Sequence, residues 1–237
     1  MFAVKQGVKK AGRDEAEKPF WISFSDLMTA LMVLFLVAMT VALLAITQEI
    51  SDAEKKKVRR DEEISQLIKK IQKATENFPG VIVRGHSVDF GDQARFDTDQ
   101  HKLTKEQASM LRLFVPKILE VARDPLGQKW LKRVVVEGFA DQRGTYIHNL
   151  NLSLQRSERV LCVLMASEKE FPDALSESDR LMVRELFLVG GSSFNSLKES
   201  LDESRRIELK LEFLDIGEQR TVPRLIPLDN DPHCPLY

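Results

Sequence analysis

Cysteine is nearly missing from this chain of 237 residues: there are two, Cys162 and Cys234. No CxxC pair and no Cys/His cluster is present, which argues against a zinc centre. Cys162 sits in the apolar run VLCVLMA and reads as a small buried hydrophobe, although an oxidising compartment would permit a Cys162–Cys234 bond. Histidine is scarce as well. His86, His101, His148 and His233 show no HExxH or other metal-ligand spacing. The chain has no P-loop, no GxGxxG, no Ser/His/Asp arrangement and no internal repeat, so an enzyme is the poorer class and no cofactor is expected. An excess of either charge is also lacking. The net charge is -1, which does not suit a nucleic-acid surface.

What the chain does have is one long apolar stretch. Leu27 to Ile46 holds twenty residues without a charge, interrupted in polarity only by Thr29 and Thr40. As a helix it would be about 30 Å long, one hydrocarbon thickness. It exceeds the roughly 7–15 apolar residues of a signal peptide, so it reads as a retained anchor. Pro19 suits a helix start, and Phe20 and Trp21 suit a membrane interface. Asp26 lies immediately before this run, near the start of the longer stretch from Pro19 to Ile46, with Ser23 and Thr29 three residues to either side and Ser25 beside it. A carboxylate in a span costs roughly 2.5–3.5 kcal/mol on insertion scales and marks a site for an ion, a proton or a partner's charge. The plainer alternative is an Asp that caps the helix start. Basic residues flank the span on both sides, Lys5, Lys9, Lys10, Arg13 and Lys18 before it and Lys55, Lys56, Lys57, Arg59 and Arg60 after it, so charge alone leaves its orientation open.

Residues 47–78 are strongly charged, with Ile64, Leu67, Ile68, Ile71 and Phe78 at helical spacing. This predicts a helical connector with one narrow apolar seam, either solvated or self-paired as a short coiled coil. Beyond Phe78-Pro79-Gly80, the pattern predicts a strand over 81–90 and a loop over 91–102. A helix follows, opened by the Thr104/Gln107 capping box and kinked at Pro116. Next come a buried strand near 130–139, a helix over about 150–166, a polar loop over 167–180 and a segment ending at Gly190-Gly191. Ile207, Leu209, Leu211 and Phe213 then alternate strictly, as in a half-buried strand. Strands alternating with helices predict an α/β or α+β domain, one sheet backed by helices.

Two stretches resemble known families. WISFSDLMTALMVLFLVAM is similar to the transmembrane segment of MotB-type stator subunits, in which an aromatic lead precedes an Asp and an M-T-A-x-M run. Asp26 matches the ion-carrying Asp of that motif. GFADQRGTYIHNLNLSLQRSERV resembles the peptidoglycan-binding signature of OmpA-like domains, G-H-T-D-x-x-G followed by N-x-x-L-S-x-x-R-A. Gly138, Asp141 and Gly144 match its first part; Asn149, Leu152, Ser153 and Arg156 match its second. Phe139 and Ala140 replace the usual His-Thr, and Ser157 replaces Ala. Phe96 with Leu103, and the SRRIELKLEF strand, also resemble family elements. The short connector and the SFSDLMTALM run resemble the ZorB branch of these stators, from Zorya anti-phage defence systems.

The resemblance implies a cytoplasmic tail over 1–18, a transmembrane helix over 19–47, a helical connector over 48–78, an OmpA-like peptidoglycan-binding domain over 79–216 and a tail over 217–237. It implies a single-pass protein of the bacterial inner membrane, N-terminus in the cytoplasm and C-terminal domain in the periplasm. The implied partners are peptidoglycan, a second copy of the chain, and a MotA-like (ZorA-like) multi-span subunit, five around two. Asp26 would carry H+, with Na+ as the competing ion. In the outer domain, Asp141 would accept from the amine of a diaminopimelate, Arg156 would grip its carboxylate, Asn149 would add amide hydrogen bonds and Leu152 would pack beneath. The competing readings are a simple Asp141–Arg156 ion pair at that site, and, for the whole chain, a flagellar-type stator or a passive membrane-to-wall tether.

Overall fold

The computed structural model describes residues 14–166 and 171–221, with the side chains of residues 14–20 left aside. Contacts divide the chain into two units between Lys57 and Val58. A single helix, α1, runs over Asp14–Thr75. It starts ahead of Pro19, the expected first residue; the acidic Asp14-Glu15 and Glu17 favour an N-terminal turn there. In the first unit the helix is long and apolar enough to cross a membrane, and that apolar window has none of its residues buried. Asp26 is exposed on the helix surface. The Thr29 hydroxyl, expected beside it as part of a polar stripe, donates to the Ser25 carbonyl at 2.7 Å.

The second unit is built on a five-stranded sheet in the order β1-β2-β5-β3-β4. Its strands are β1 (Ile82–Arg84), β2 (Ser87–Asp89), β3 (Leu131–Gly138), β4 (Phe187–Gly191) and β5 (Ile207–Phe213). All neighbours are antiparallel except β3 and β4. The helices are α2 (Lys105–Arg123), α3 (Pro125–Trp130), α4 (Tyr146–Met165), α5 (Glu177–Leu186) and α6 (Leu201–Ser204). The parallel pair requires a crossover, which α4 and α5 supply.

The expected alternation of β5 holds. Ile207, Leu209 and Leu211 are buried, whereas Glu208, Lys210 and Glu212 form ion pairs on the other face with Arg206, Glu137 and Arg133. A sheet with one apolar and one charged face packs on one side only. In β3 the buried positions are Leu131, Val134, Val136 and Gly138; the three-residue first step follows from a register shift between Leu131 and Arg133.

Several elements depart from expectation. The strand over 81–90 is a hairpin, because Gly85 turns the chain at φ 58°. The loop over 91–102 opens with a 3-10 turn, Gly91–Ala94. Helix α2 begins at the expected capping box and continues through Pro116. Helix α4 starts four residues earlier than Leu150, because the Thr145 hydroxyl caps it by accepting from the His148 N–H. The polar stretch contains the start of α5, and residues 167–170 within it lie outside the described residues.

The apolar seam after the span, expected to be solvated or self-paired, packs within its own chain. Ile64, Leu67 and Ile71 are buried, and Leu67 and Ile71 belong to the core of the second unit. Polar contacts hold that helical segment in place. Glu63 accepts from the Trp130 indole at 2.6 Å and from Lys129 at 2.5 Å, and Arg60 donates to the Leu214 carbonyl at 2.8 Å. By packing, the second unit therefore begins at Val58, inside the expected connector. The expected tail over 217–237 is described only as far as Thr221, and within it Lys132 pairs with Glu218 while Arg220 donates to the Gly127 carbonyl at 3.2 Å. The Cys162–Cys234 bond that an oxidising compartment would permit involves Cys234, which lies outside the described residues.

Candidate functional site: a charged pocket at the end of β3

The four outer-domain positions singled out from the sequence, Asp141, Asn149, Leu152 and Arg156, line one pocket of about 260 Å³. Two elements meet there, the end of β3 and the first turns of α4. Their close approach depends on Gly138, where a Cβ would stand 2.0 Å from the Ser153 carbonyl oxygen of α4. After β3 the chain is pinned by two backbone bonds, Phe139 N–H to the Arg206 carbonyl at 2.9 Å and Ala140 N–H to Ser193 at 2.8 Å. Gly144, at φ +95°, then turns it into α4.

Asp141 is 5% exposed and does not pair with Arg156. Its carboxylate accepts from the Arg143 N–H at 2.9 Å, from the Arg143 guanidinium at 2.6 and 3.1 Å, and from Arg205 at 3.0 Å. Burial by itself would push this carboxyl up. The hydrogen bonds and charges of Arg143 and Arg205 outweigh it and hold the group at about 2. The same pairing raises Arg143.

Arg156 is fully buried. Its guanidinium donates to three backbone carbonyls, Phe139 at 2.6 Å, Gln100 at 2.9 Å and Asp97 at 3.2 Å, and lies over the Phe96 ring at 4.9 Å. Burial, reinforced by the nearby Arg205 charge, brings it down to about 10, so it remains a cation at neutral pH. Its main geometric effect is to tie the loop of Asp97 and Gln100 to the end of β3. Asn149 is buried and donates to the Arg143 carbonyl at 2.8 Å, so it holds the turn that aims Arg143 at Asp141. Leu152 supplies the apolar floor.

Sequence reasoning missed Arg143, Arg205, Asp99 and His148, which line the same pocket. His148 and Asp99 are paired at 2.7 Å. Arg143 occupies a variable slot of the D-x-x-G motif, so the motif gave no weight to it. Arg205 stands in the SRR run before β5, 64 residues beyond Asp141. No local spacing connects the two. Three arginines and two carboxylates thus line the pocket, and one of the acids is held ionised.

These features can be set beside known proteins. A sequence profile of the family described as membrane MotB of the proton-channel complex MotA/MotB matches residues 5–58. A relative over nearly the whole length is the Zorya protein ZorB of Escherichia coli O139:H28 (strain E24377A / ETEC), 44% identical over 223 residues, covering 93% of this chain and 91% of that protein.

The chain belongs to the ZorB family.

It is a MotB-like subunit of the Zorya type, and Asp26 lies inside the segment matched by the MotB profile. Among solved structures, the second unit of this ZorB-family chain is similar to the periplasmic domain of MotB (residues 64–256), at 12% identity, 57% of this chain, 68% of that one and TM-score 0.38. It is also similar to the cell wall anchor of the T6SS from Pseudomonas aeruginosa, at 19% identity, 60% of this chain, 94% of that one and TM-score 0.36.

Proposed function

We propose that this ZorB-family chain is the peptidoglycan-anchored subunit of a proton-driven rotary motor in the bacterial inner membrane, acting in anti-phage defence. Asp26 carries the proton, and the pocket at the end of β3 holds the cell wall. The N-terminus lies in the cytoplasm and the sheet domain in the periplasm. Two copies stand at the centre of five MotA-like (ZorA-like) subunits. The observation that carries this reading is the position of Asp26. It is an ionisable side chain at the start of a twenty-residue uncharged run, within the segment matched by the MotB profile. A carboxyl that gains and loses charge against a partner ring can turn ion flow into conformational steps. The high identity to a Zorya protein over nearly the full length favours defence over motility.

At the wall site, a diamino acid brings one ammonium and one carboxylate. The ammonium suits ionised Asp141 and the carboxylate suits the surrounding arginines. Arg143, with a side chain 49% exposed, is free to swing off Asp141 and meet the carboxylate, whereas Arg205, at 10%, stays behind as the fixed counter-charge.

The test is Asp26→Asn, which keeps size and hydrogen bonding but removes titration. Phage protection and proton flux through the assembled complex should both be lost, with membrane insertion and sacculus pull-down retained. Full protection and flux in the variant would leave only the tether reading.

A further inference from the structure

A second cavity, of about 330 Å³, lies apart from the wall site, between the start of α2, α4 and the segment around Phe171. Its size is at the lower end of small-molecule pockets. Most of its lining is apolar, contributed by Leu103, Ala108, Val163 and Phe171. One charged side chain reaches into it from α2. Arg112 is 5% exposed, and its guanidinium stacks on the Phe171 ring at 4.6 Å. Among the described residues only one of its three nitrogens is satisfied: Nη2 donates to Asp173 at 3.0 Å, while Nε and Nη1, both buried, have no partner. Leaving buried donors of a cation unpaired is costly, and native structures rarely do so without a ligand or water.

Charge narrows the choice of ligand. Asp173 balances Arg112, and it is held ionised by Arg112 and Ser109 against the opposing effect of its own burial. Lys105, exposed at the mouth, adds one further positive charge. Among the described residues the lining therefore carries a surplus of one positive charge. A monoanion completes it, whereas a dianion such as phosphate overfills it and brings no group for the apolar wall.

We propose that this cavity is a binding site for a small organic monocarboxylate with a compact apolar body, its carboxylate taken by the unpartnered Arg112 donors, which a small shift of that side chain turns into the cavity, and its body packed on Phe171, Val163 and Leu103. The ligand is either a free acid or the carboxyl end of a peptide. Isovalerate and N-acetylvaline present the same isopropyl group and carboxylate in these two forms.

Isothermal titration of the full chain in detergent micelles with each probe, and with the neutral isovaleramide, tests the site. Isovalerate or N-acetylvaline should bind, and whichever is tighter identifies the source. Isovaleramide should bind at least 10-fold more weakly. Arg112→Met should weaken the acid at least 10-fold. Because that change alters a buried position, Lys105→Glu serves as the variant that leaves the core intact, and it should weaken binding several-fold. Absence of binding by both acids, or acid affinity equal to that of isovaleramide, or acid affinity unchanged in Lys105→Glu and Arg112→Met, would overturn the proposal.

Discussion

Gly138 and Asp141 stand three residues apart, and each carries a different part of the proposed wall site. Gly138 is a matter of space. A methyl group there would meet the Ser153 carbonyl at 2.0 Å, backbone against backbone, with no flexible side chain to yield. Gly138→Ala should destabilise the outer unit by about 3 kcal/mol, read from chemical denaturation. A loss under about 0.5 kcal/mol would mean that α4 moves away from β3 easily.

Asp141 is a matter of charge. Its carboxyl titrates at about 2 in the fold against an ordinary 3.8. The folded value lies below the unfolded one, so the ionised group stabilises the fold at every pH above about 4, and that stabilisation fades as pH falls from about 4 to about 2. The amount is about 2 kcal/mol. Asp141→Asn should lower stability by at least that much at pH 7, since Arg143 and Arg205 then lose the carboxylate they share, and should flatten the pH dependence between 4 and 2. Parallel curves for the two proteins over that window would assign the acid sensitivity elsewhere. Arg156→Ala is a poor probe of ligand binding, because it strips three backbone carbonyls of their partner and so threatens the fold itself.

At the scale of elements, the informative one is the segment of α1 beyond Val58. Its charged sequence with a narrow apolar seam is equally compatible with a solvated rod, a coiled coil and a helix docked on a domain. The seam residues Leu67 and Ile71 are 0% and 1% exposed within the single chain. Leu67→Ala should therefore cost about 2–5 kcal/mol, and the loss should not vary with protein concentration. A loss that grows on dilution would instead indicate a seam shared between two chains. Helix α2 offers a smaller check. Thr104 accepts from the Gln107 N–H at 3.2 Å, and Gln107 accepts from the Thr104 N–H at 2.9 Å. Thr104→Ala should cost about 1 kcal/mol.

For the whole molecule, the proposed roles are assigned to different units, one to Asp26 and one to the pocket around Asp141. Their loss-of-function variants should then separate. Asp26→Asn should abolish protection while the protein is still retained on isolated sacculi. Asp141→Asn, checked for folding at pH 7, should abolish retention on sacculi while membrane fractionation is unchanged. If both variants lost sacculus retention equally, the two sites could not be assigned independent roles.

The residues alone determined whatever depends on near neighbours along the chain. The twenty-residue uncharged run with Asp26 at its edge, the strict alternation of β5, the Thr104 capping box and the four motif positions after β3 and along α4 were all legible. Each reports a local period or a local spacing. Only the tertiary structure decided what lies far apart in sequence. It paired Asp141 with Arg205 and Arg143 rather than with Arg156, spent Arg156 on backbone carbonyls, divided residues 81–90 into a hairpin and covered the seam of α1 with the core of its own chain. The physical reason is the same in each case. Helical and strand periodicity state which face of an element is apolar or charged. Which partner satisfies that face is settled by packing, where burial makes an unpaired group too costly to leave and the nearest donor in space, however distant in sequence, takes its place.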